Sequence, residues 1–283
     1  EPGYIILNYL CKWMPFQLYI FLISTVSVFI KVLFIYKVSN NLIMCLFIYY
    51  SMYFCLYDMG VIRQGFAIGL LLWAFYYYIE GKRGKTAIFI ILASFFHSSS
   101  IIFLSIYLIK DKVYKFRWYA VTLISTLLFS FGGIIEEIIY KSNITFIQNK
   151  YWYYINQLAD NDESVVNSII KRLIVFLLLL IMVDWNAIKR SEKKYKIALN
   201  VYFVSIIISI MFYMLPIIGG RGTGALQFMQ VFLLPIIGDK RYIRNNLNKA
   251  RSIGVLIIIV LSFYSLYTVI NSHSYLPYHS ILC

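Results

Sequence analysis

The feature that most constrains the fold is a series of apolar runs, each long enough to cross a lipid bilayer. A transmembrane helix needs roughly 20 mostly apolar residues, because it rises about 1.5 Å per residue through a hydrocarbon core about 30 Å thick. Such runs lie at 15–36, 40–57, 61–79, 118–135, 168–184, 197–217, 222–238 and 252–271. The sequence therefore predicts an all-α, polytopic membrane protein with about 8–9 transmembrane helices, forming a single transmembrane domain over 1–283.

The composition supports this class of protein. Of 283 residues, 61% are hydrophobic and 13% are charged, whereas soluble domains average about 45–50% apolar and about 25% charged residues. The net charge of +14 is the excess of 26 Lys and Arg over 12 Asp and Glu. In a polytopic protein the basic residues collect in cytoplasmic loops. We therefore expect membrane lipids around the helices and no nucleic-acid partner.

Four short segments between the apolar runs are strongly basic. Segments 81–85, 110–117, 186–196 and 239–251 carry 3, 4, 5 and 5 Lys or Arg, respectively. The positive-inside rule places all four in the cytoplasm. The first two are separated by a single apolar run, 86–109, so this run must enter the membrane and return to the same side.

The run 86–109 is therefore predicted to be a re-entrant helical hairpin with its break near Phe96-His97-Ser98-Ser99-Ser100. Irregular backbone at membrane depth is tolerated only where protein or water satisfies its polar groups. With this hairpin, the corner 57–63, the loop 136–167 and the turn 219–221 lie on the extracytoplasmic side. The loop 136–167 is the longest connection, and loops of more than about 12 residues are often functional.

Arg63 begins an apolar helix on the extracytoplasmic side and is followed by Gln64. A guanidinium stays charged, so at this boundary it should have an anionic partner, such as Asp58 or a phosphate group. The helix N-terminus would favour an anion at the same place. A boundary arginine that only reaches to lipid headgroups would give the same pattern.

His97 lies between long apolar segments, close to Ser99. An ionisable side chain within a membrane indicates a functional site by default. Burial disfavours the imidazolium, so His97 should stay neutral and available as a base. The structural alternative is a histidine that binds a neighbouring serine or carbonyl and holds the hairpin together.

Further candidates on the extracytoplasmic side could bind an anion or a sugar. Arg221 lies in a glycine-rich turn, and such turns with free amides can hold phosphate oxygens. Glu136 and Arg172, each with a like-charged neighbour, flank the loop 136–167, where they could neutralise one another or line a sugar site. Tyr153 could stack on a sugar ring, although Tyr and Trp are enriched at membrane interfaces anyway.

No metal site and no cofactor are expected. The chain has three histidines and four cysteines, with no CxxC, HxxH or HExxH spacing among them. With so few histidines, a His-based metal site would need carboxylate ligands as well, and no such spacing supplies them. Cys45 and Cys55 lie in an apolar run, so no disulfide framework is predicted either.

These residues together resemble the EpsG family, which belongs with the Wzy-type bacterial polysaccharide polymerases. The resemblance rests on Glu1-Pro2-Gly3-Tyr4 before an apolar segment, Arg63-Gln64 with Ala67, Ala93-x-x-Phe96-His97-x-Ser99, and Arg221 before a helix ending at Pro235. It covers nearly the whole chain and implies that one or two helices upstream of Glu1 are absent from 1–283. The family often has a tyrosine four residues after the last arginine, where this chain has Ala225.

The resemblance implies glycosyl transfer on the outer face of the bacterial cytoplasmic membrane. Donor and acceptor would be oligosaccharide units carried on undecaprenyl pyrophosphate, and a chain-length regulator and a flippase would be partners. Positive charge at Arg63 and Arg221 suits a pyrophosphate leaving group, and His97 or Glu1 could act on the acceptor hydroxyl. The expected substrate-binding residues are Asp58, Gln64, Ser99, Tyr153, Glu136 and Arg172.

Three other functions remain open from the sequence. An O-antigen ligase-like transferase would use the same lipid carrier with a different acceptor. A flippase or exporter of the lipid-linked oligosaccharide would place charges along a path through the membrane, whereas the candidates here lie in the outer half. A membrane acyltransferase would use a cytoplasmic acyl donor. The side of the membrane on which Arg63 and Arg221 lie would therefore decide for or against this function.

Overall fold

The structure is a computed structural model that describes residues 1–141, 145, 148–149, 151–152, 162–213, 215, 217–243 and 251–271. Over these ranges the chain is helical apart from short connections and one isolated β-bridge between Val183 and Ile243. The predicted all-α class agrees with this architecture. Four of the described helical segments are long and apolar enough to cross a membrane, Phe16–Val38, Leu42–Gly60, Lys193–Met211 and Arg251–Ile270. The total of about eight or nine spans stays a prediction.

The helices are numbered here in chain order. The α-helices are α1 Pro2–Leu10, α2 Phe16–Val38, α3 Leu42–Tyr49, α4 Ile62–Ile79, α5 Arg83–Phe96, α6 Phe116–Phe131, α7 Ile134–Lys141, α8 Asp162–Met182, α9 Trp185–Arg190, α10 Lys193–Met211, α11 Gly224–Gln227, α12 Gln230–Leu233 and α13 Arg251–Ile270. The π-helical segments are Tyr50–Gly60 and Ile217–Arg221, and the 3₁₀ helices are Ser98–Leu108 and Leu234–Gly238.

The bundle has a buried centre and an apolar exterior. α4 packs against α2 on one side and α5 on the other, and α10 packs against α6, α8, α11 and α12. α10 is therefore largely buried, whereas α2 and α13 leave large apolar side chains such as Phe21 and Leu256 exposed. An apolar exterior of this kind is the surface that lipid would cover.

Residues 86–109 fall within a helical hairpin that begins at α5. α5 ends at Phe96, His97 has extended backbone (φ −154°, ψ 112°), and the chain continues as the 3₁₀ helix Ser98–Leu108. Tyr107 Oη donates a 2.7 Å hydrogen bond to the Arg83 carbonyl, so the end of the second arm lies beside the start of the first. The predicted break near His97 is confirmed. Re-entry of this hairpin into a membrane stays a prediction.

The 3₁₀ conformation of the second arm has a geometric consequence. An α-helix rises about 1.5 Å per residue and a 3₁₀ helix about 2.0 Å. The 14 residues of α5 and the 11 residues of the 3₁₀ helix therefore both span about 21–22 Å. The two arms return the chain to its starting level with unequal numbers of residues, and neither covers a hydrocarbon core of about 30 Å.

The basic segments lie together at one end of the bundle, where the hairpin also begins and ends. Of the segment 239–251, residues 239–243 and Arg251 are described. The contacts that join the segments are Lys193 Nζ to the Ile79 carbonyl (3.0 Å), Tyr78 Oη to the Ile109 carbonyl (2.7 Å), Lys196 to Asp111 (3.2 Å) and the Asp184 amide to the Tyr242 carbonyl (2.7 Å). The shared end predicted from the charge pattern is confirmed, and its cytoplasmic side stays a prediction.

Two predicted boundaries were wrong. The loop 136–167 is helical at both ends, because α7 extends to Lys141 and α8 begins at Asp162. Hydropathy marks the length that lipid would cover, and a helix can continue beyond it through polar residues. The run 222–238 is not one helix but α11, α12 and a 3₁₀ turn that contains Pro235, a residue that interrupts the α-helical hydrogen-bond pattern.

Candidate active site

The end of the bundle opposite the basic segments brings three candidate residues together. Arg63 lies in the first turn of α4, and His97 lies at the break of the hairpin. Glu1 directly precedes α1, which packs against α5. This packing is close at Gly3, where a Cβ atom would lie 3.1 Å from the Phe95 carbonyl oxygen. Three separate parts of the chain thus supply one site.

Glu1 joins the other two side chains. Its Oε1 lies 2.9 Å from His97 Nδ1, and its Oε2 accepts a 3.3 Å hydrogen bond from Arg63 Nη1. Oε1 also accepts a 3.4 Å bond from the Ser98 amide. The carboxylate partner of Arg63 is therefore Glu1, where the sequence had suggested Asp58 or a phosphate. We refer to these side chains as the Glu1–Arg63–His97 cluster.

The contact with Glu1 fixes the tautomer of His97. An ionised carboxylate only accepts hydrogen bonds, so Nδ1 carries the proton and Nε2 of the neutral ring keeps its electron pair. His97 Nε2 is buried without a hydrogen-bond partner, and so is the hydroxyl of Ser99. Because buried polar atoms normally have a partner, these two atoms indicate a place where a polar group of a ligand could bind.

Arg63 is held on two sides and remains open on others. Its guanidinium lies 5.2 Å above the ring of Tyr4, in addition to the contact with Glu1. The side chain is 55% exposed, compared with 19% for Glu1. Arg63 therefore keeps hydrogen-bond donors free for an anion. The sequence contained Tyr4 only as part of a motif and gave it no role.

Gln64 connects the first turn of α4 to the turn that carries Arg221. Its buried Nε2 donates a 2.6 Å hydrogen bond to the Arg221 carbonyl. The Arg221 side chain is exposed. Both Arg221 and Arg63 lie close enough to His97 for their positive charges to interact with its imidazole ring. Gln64 therefore has a positioning contact in the structure, and its expected contact with substrate stays a prediction.

The π-helical segment Tyr50–Gly60 packs directly on this region, and two glycines make that possible. At Gly65 a Cβ atom would lie 2.3 Å from the Tyr57 carbonyl oxygen, and at Gly224 it would lie 2.7 Å from the Tyr57 hydroxyl. Cβ atoms do not approach other atoms so closely. The first turn of α4 and the start of α11 can therefore contact Tyr57 only because both positions lack a side chain.

Asp58 belongs to a different, internal group. Its carboxylate binds Lys31 of α2 and accepts hydrogen bonds from Ser27 (2.7 Å) and Tyr49 (2.8 Å). The Lys31 and Asp58 side chains are 1% and 0% exposed, so Asp58 has no open position for a substrate. The sequence held a signal for this pair, since Lys31 is the one charged residue of the run 15–36 and an intramembrane lysine needs a partner.

Arg172 also lies in the interior, in the middle of α8. Its Nη1 donates to the Gly219 carbonyl (3.2 Å), to Thr223 Oγ1 (2.9 Å) and to Ser209. These contacts hold the turn that carries Arg221. From the sequence we expected Arg172 at the start of this helix. Because the helix begins at Asp162, Arg172 lies in its middle instead.

Two expected sugar contacts cannot be located. Tyr153 lies outside the described residues, and so does the side chain of Glu136, whose backbone is in α7. Their proposed roles stay predictions. Within the described part of the chain, no three His, Cys, Asp or Glu side chains form a group that could hold a metal ion.

The apolar exterior, the four long apolar helices and the polar cluster at one end define an all-α integral membrane protein. The model of the EpsG family matches residues 1–280. The chain therefore belongs to the EpsG family, a Wzy-type polysaccharide polymerase family. The resemblance found in the residues is thus confirmed. No match is found among curated proteins or among solved structures.

Proposed function

We propose that this protein polymerises lipid-linked oligosaccharide units into a cell-surface polysaccharide on the outer face of the cytoplasmic membrane. Membership of the EpsG family supports the type of reaction. The observation that supports the site is the Glu1 carboxylate, which lies between His97 Nδ1 (2.9 Å) and Arg63 Nη1 (3.3 Å). The substrates are two units carried on undecaprenyl pyrophosphate, one as donor and one as acceptor.

In the proposed reaction, a hydroxyl oxygen of the acceptor attacks the anomeric carbon of the donor sugar. The bond between that carbon and the pyrophosphate oxygen breaks, and its electron pair leaves with the pyrophosphate. The hydroxyl proton passes to His97 Nε2, whose electron pair is free because Nδ1 faces Glu1. Glu1 then stabilises the imidazolium, as a buried carboxylate does in a catalytic triad.

Arg63 and Arg221 stabilise the leaving group. Negative charge develops on the pyrophosphate as its bond to the sugar breaks, and fixed positive charge at that place lowers the barrier. Each guanidinium can form two parallel hydrogen bonds to phosphate oxygens. Tyr4 and Glu1 hold Arg63, while Gln64 holds the backbone of Arg221. In this proposal the arginines supply the positive charge, and neither metal nor cofactor is needed.

The direction of the bundle supports an extracytoplasmic site. α4 has Arg63 in its first turn, and the Ile79 carbonyl at its other end accepts a hydrogen bond from Lys193 in the basic region. The positive-inside rule assigns the basic end to the cytoplasm, so the Glu1–Arg63–His97 cluster faces outward. This direction disfavours an acyltransferase with a cytoplasmic acyl donor.

Polymerisation is tested with the purified protein in liposomes and a defined undecaprenyl-pyrophosphate-linked repeat unit. We expect a ladder of glycan lengths with the wild type and none with empty liposomes. Transfer of one unit to a different acceptor would indicate a ligase, and unchanged units moved across the bilayer would indicate a flippase. Either result would overturn the proposal.

The same assay tests the role of Arg63. Arg63→Ala should give no polymer, and Arg63→Lys should largely fail, because an ammonium group cannot reproduce the bidentate contact with phosphate. The matched control is Arg117→Lys, the same change at an exposed arginine of the basic end. Near-normal polymer from Arg63→Lys would mean that Arg63 only anchors α4 among lipid headgroups.

A further inference from the structure

Arg172 is a buried cation without a carboxylate partner among the described residues. It is 3% exposed, and its Nε is buried without a hydrogen-bond partner. Buried charges in proteins are normally paired, because an unpaired one is strongly destabilising. Its Nη1 bonds go to two hydroxyl groups and one carbonyl, which carry no charge. A negatively charged ligand would therefore complete the surroundings of Arg172.

None of the carboxylates whose side chains are described is the anionic partner of Arg172. Each of these carboxylates has a partner other than Arg172. The partners are Arg63 and His97 for Glu1, Lys31 for Asp58, Lys82 for Glu80, Lys196 for Asp111, Lys141 for Glu137, the Asn186 amide for Asp184, Lys194 for Glu192 and Arg241 for Asp239. Lys171, the neighbour of Arg172, has no partner in this set either.

Both cations line one cavity between α8, α13 and the π-helical segment Tyr50–Gly60. Its volume is about 80 Å³, several times the roughly 10–15 Å³ that one water molecule needs on this measure. A phosphate group fits such a space. The polar side chains that also line the cavity are Tyr53, Tyr57, Gln227, Gln230, Tyr264 and Ser265. Tyr53 Oη already donates to the Gln227 carbonyl, and Gln230 Nε2 donates to Tyr53 Oη. The Gln227 amide and the hydroxyls of Tyr264 and Ser265 are groups that can donate hydrogen bonds to phosphate oxygens.

The surroundings of the cavity favour a phosphate that is attached to a lipid. Lys171 lies at its edge, where its Nζ is 4.7 Å from the Tyr264 ring centre and 3.4 Å from Thr268 Oγ1 of α13. The outer faces of α8 and α13 carry exposed apolar side chains, including Ile174 and Tyr267. A lipid chain could lie against these faces while its phosphate enters between the two helices.

We propose that the Lys171–Arg172 cavity binds the phosphate of a second lipid-linked substrate, the acceptor, while Arg63 and Arg221 bind the donor pyrophosphate. This inference rests on the proposed function, because polymerisation brings two lipid pyrophosphates to one protein. Arg172 also holds Gly219 and Thr223, on either side of Arg221. The two anion sites are therefore connected through one turn of the chain.

The test is a count of bound lipids. Undecaprenyl pyrophosphate, without sugar, is added to the purified full chain in nanodiscs, and native mass spectrometry gives the number bound. We expect two per wild-type protein and one per Lys171→Gln protein at the same lipid concentration. The matched control is Lys85→Gln, since Lys85 also lies over a tyrosine ring, Tyr77, at 5.4 Å, but at the basic end.

A kinetic measurement separates this site from the catalytic cluster. Lys171→Gln should raise the KM for the acceptor unit about tenfold or more, the range expected for losing one charge-assisted hydrogen bond, with kcat nearly unchanged. A wild type that binds one lipid, or a Lys171→Gln protein that binds two with unchanged KM, would overturn the inference.

A competition experiment identifies the source of the phosphate. Inorganic pyrophosphate is added in excess to the lipid-loaded wild type. Retention of the second lipid in this excess supports a site for lipid-linked phosphate, whereas its displacement overturns that assignment. If polymer forms but only one lipid binds, the proposed function stands and this inference fails. If two lipids bind but no polymer forms, the proposed function fails.

Discussion

The Lys31–Asp58 pair and the Glu1–Arg63–His97 cluster are two charged groups in one apolar bundle. They differ in how many of their polar atoms have a partner within the protein. In the first, Asp58 binds Lys31, Ser27 and Tyr49, and both charged side chains are inaccessible. In the second, His97 Nε2 has no partner and Arg63 is more than half exposed. The closed group offers no accessible donor or acceptor to a ligand. The open group has donors and an acceptor left for a ligand.

The two groups are also linked, because the segment that carries Asp58 packs against the helix that carries Arg63. Asp58 lies near the end of the π-helical segment Tyr50–Gly60, which contacts the first turn of α4. An added Cβ on Gly65 would lie 3.3 Å from Asp58 Oδ1. The closed group therefore fixes the place from which Arg63 and Gln64 extend. Disturbing it should first lower stability, whereas disturbing the open group should first lower activity.

Replacing His97 should have the largest effect and should leave the fold intact. His97→Ala removes the proposed base, and loss of a general base costs on the order of 10²–10⁴ in rate. Binding of the pyrophosphate donor should barely change, because Arg63 and Arg221 remain. The measurement compares donor affinity with turnover of a defined lipid-linked unit.

The result has two informative alternatives. Weak donor binding with turnover unimpaired at saturation would place His97 in the donor pocket. Loss of folded protein would instead give His97 a structural role in the hairpin and would remove the contrast with Lys31–Asp58.

Breaking the closed pair should lower stability. Asp58→Asn leaves Lys31 charged and buried without an anion, which costs about 3–5 kcal/mol in comparable cases. Thermal unfolding in detergent measures the loss, and turnover per folded molecule should stay close to wild type. The double variant Lys31→Met with Asp58→Asn should recover most of the stability, because no unpaired charge remains. A double variant as unstable as the single one would contradict the pairing.

Gly65→Ala tests the connection between the two groups. The added Cβ would lie 2.3 Å from the Tyr57 carbonyl oxygen, and this backbone atom can move only together with the helical segment. Overpacking of this kind costs about 1–3 kcal/mol, and displacement of Arg63 should lower turnover as well. The control is Gly84→Ala in α5, where nothing lies within 4 Å of the added atom. Equal effects of the two substitutions would argue against close packing at Gly65.

Glu1→Gln should have the smallest effect. The amide can still accept a hydrogen bond from His97 Nδ1, so the tautomer is retained, but the charge that stabilises the imidazolium is lost. A hydrogen bond to a charged group contributes about 1.5–3 kcal/mol compared with about 0.5–1.5 kcal/mol for a neutral one, so turnover should fall roughly tenfold. Unchanged turnover, measured with the assay used for His97→Ala, would show that Glu1 does not act through His97.

Much of the fold could be inferred from the sequence, and the hairpin shows why. Apolar length gave the helical class, and charge on both sides of 86–109 required the chain to turn back near His97. The 3₁₀ form of the second arm, Ser98–Leu108, could not be inferred, because a short apolar run is equally compatible with an α-helix. The helix Asp162–Met182 begins before its apolar run, so the position of Arg172 in the middle of this helix was not predicted.

For the site, the sequence identified Arg63, His97, Glu1 and Arg221 as separate positions, from residue type, from the charge pattern and from a family resemblance. Charge and hydropathy are local properties, so one chain reveals them without its fold. Which carboxylate pairs with which cation is not local, because it depends on helices that meet from distant parts of the chain. Only the tertiary structure could therefore assign Glu1 to Arg63 and His97, assign Asp58 to Lys31, and leave Arg172 without a carboxylate among the described residues.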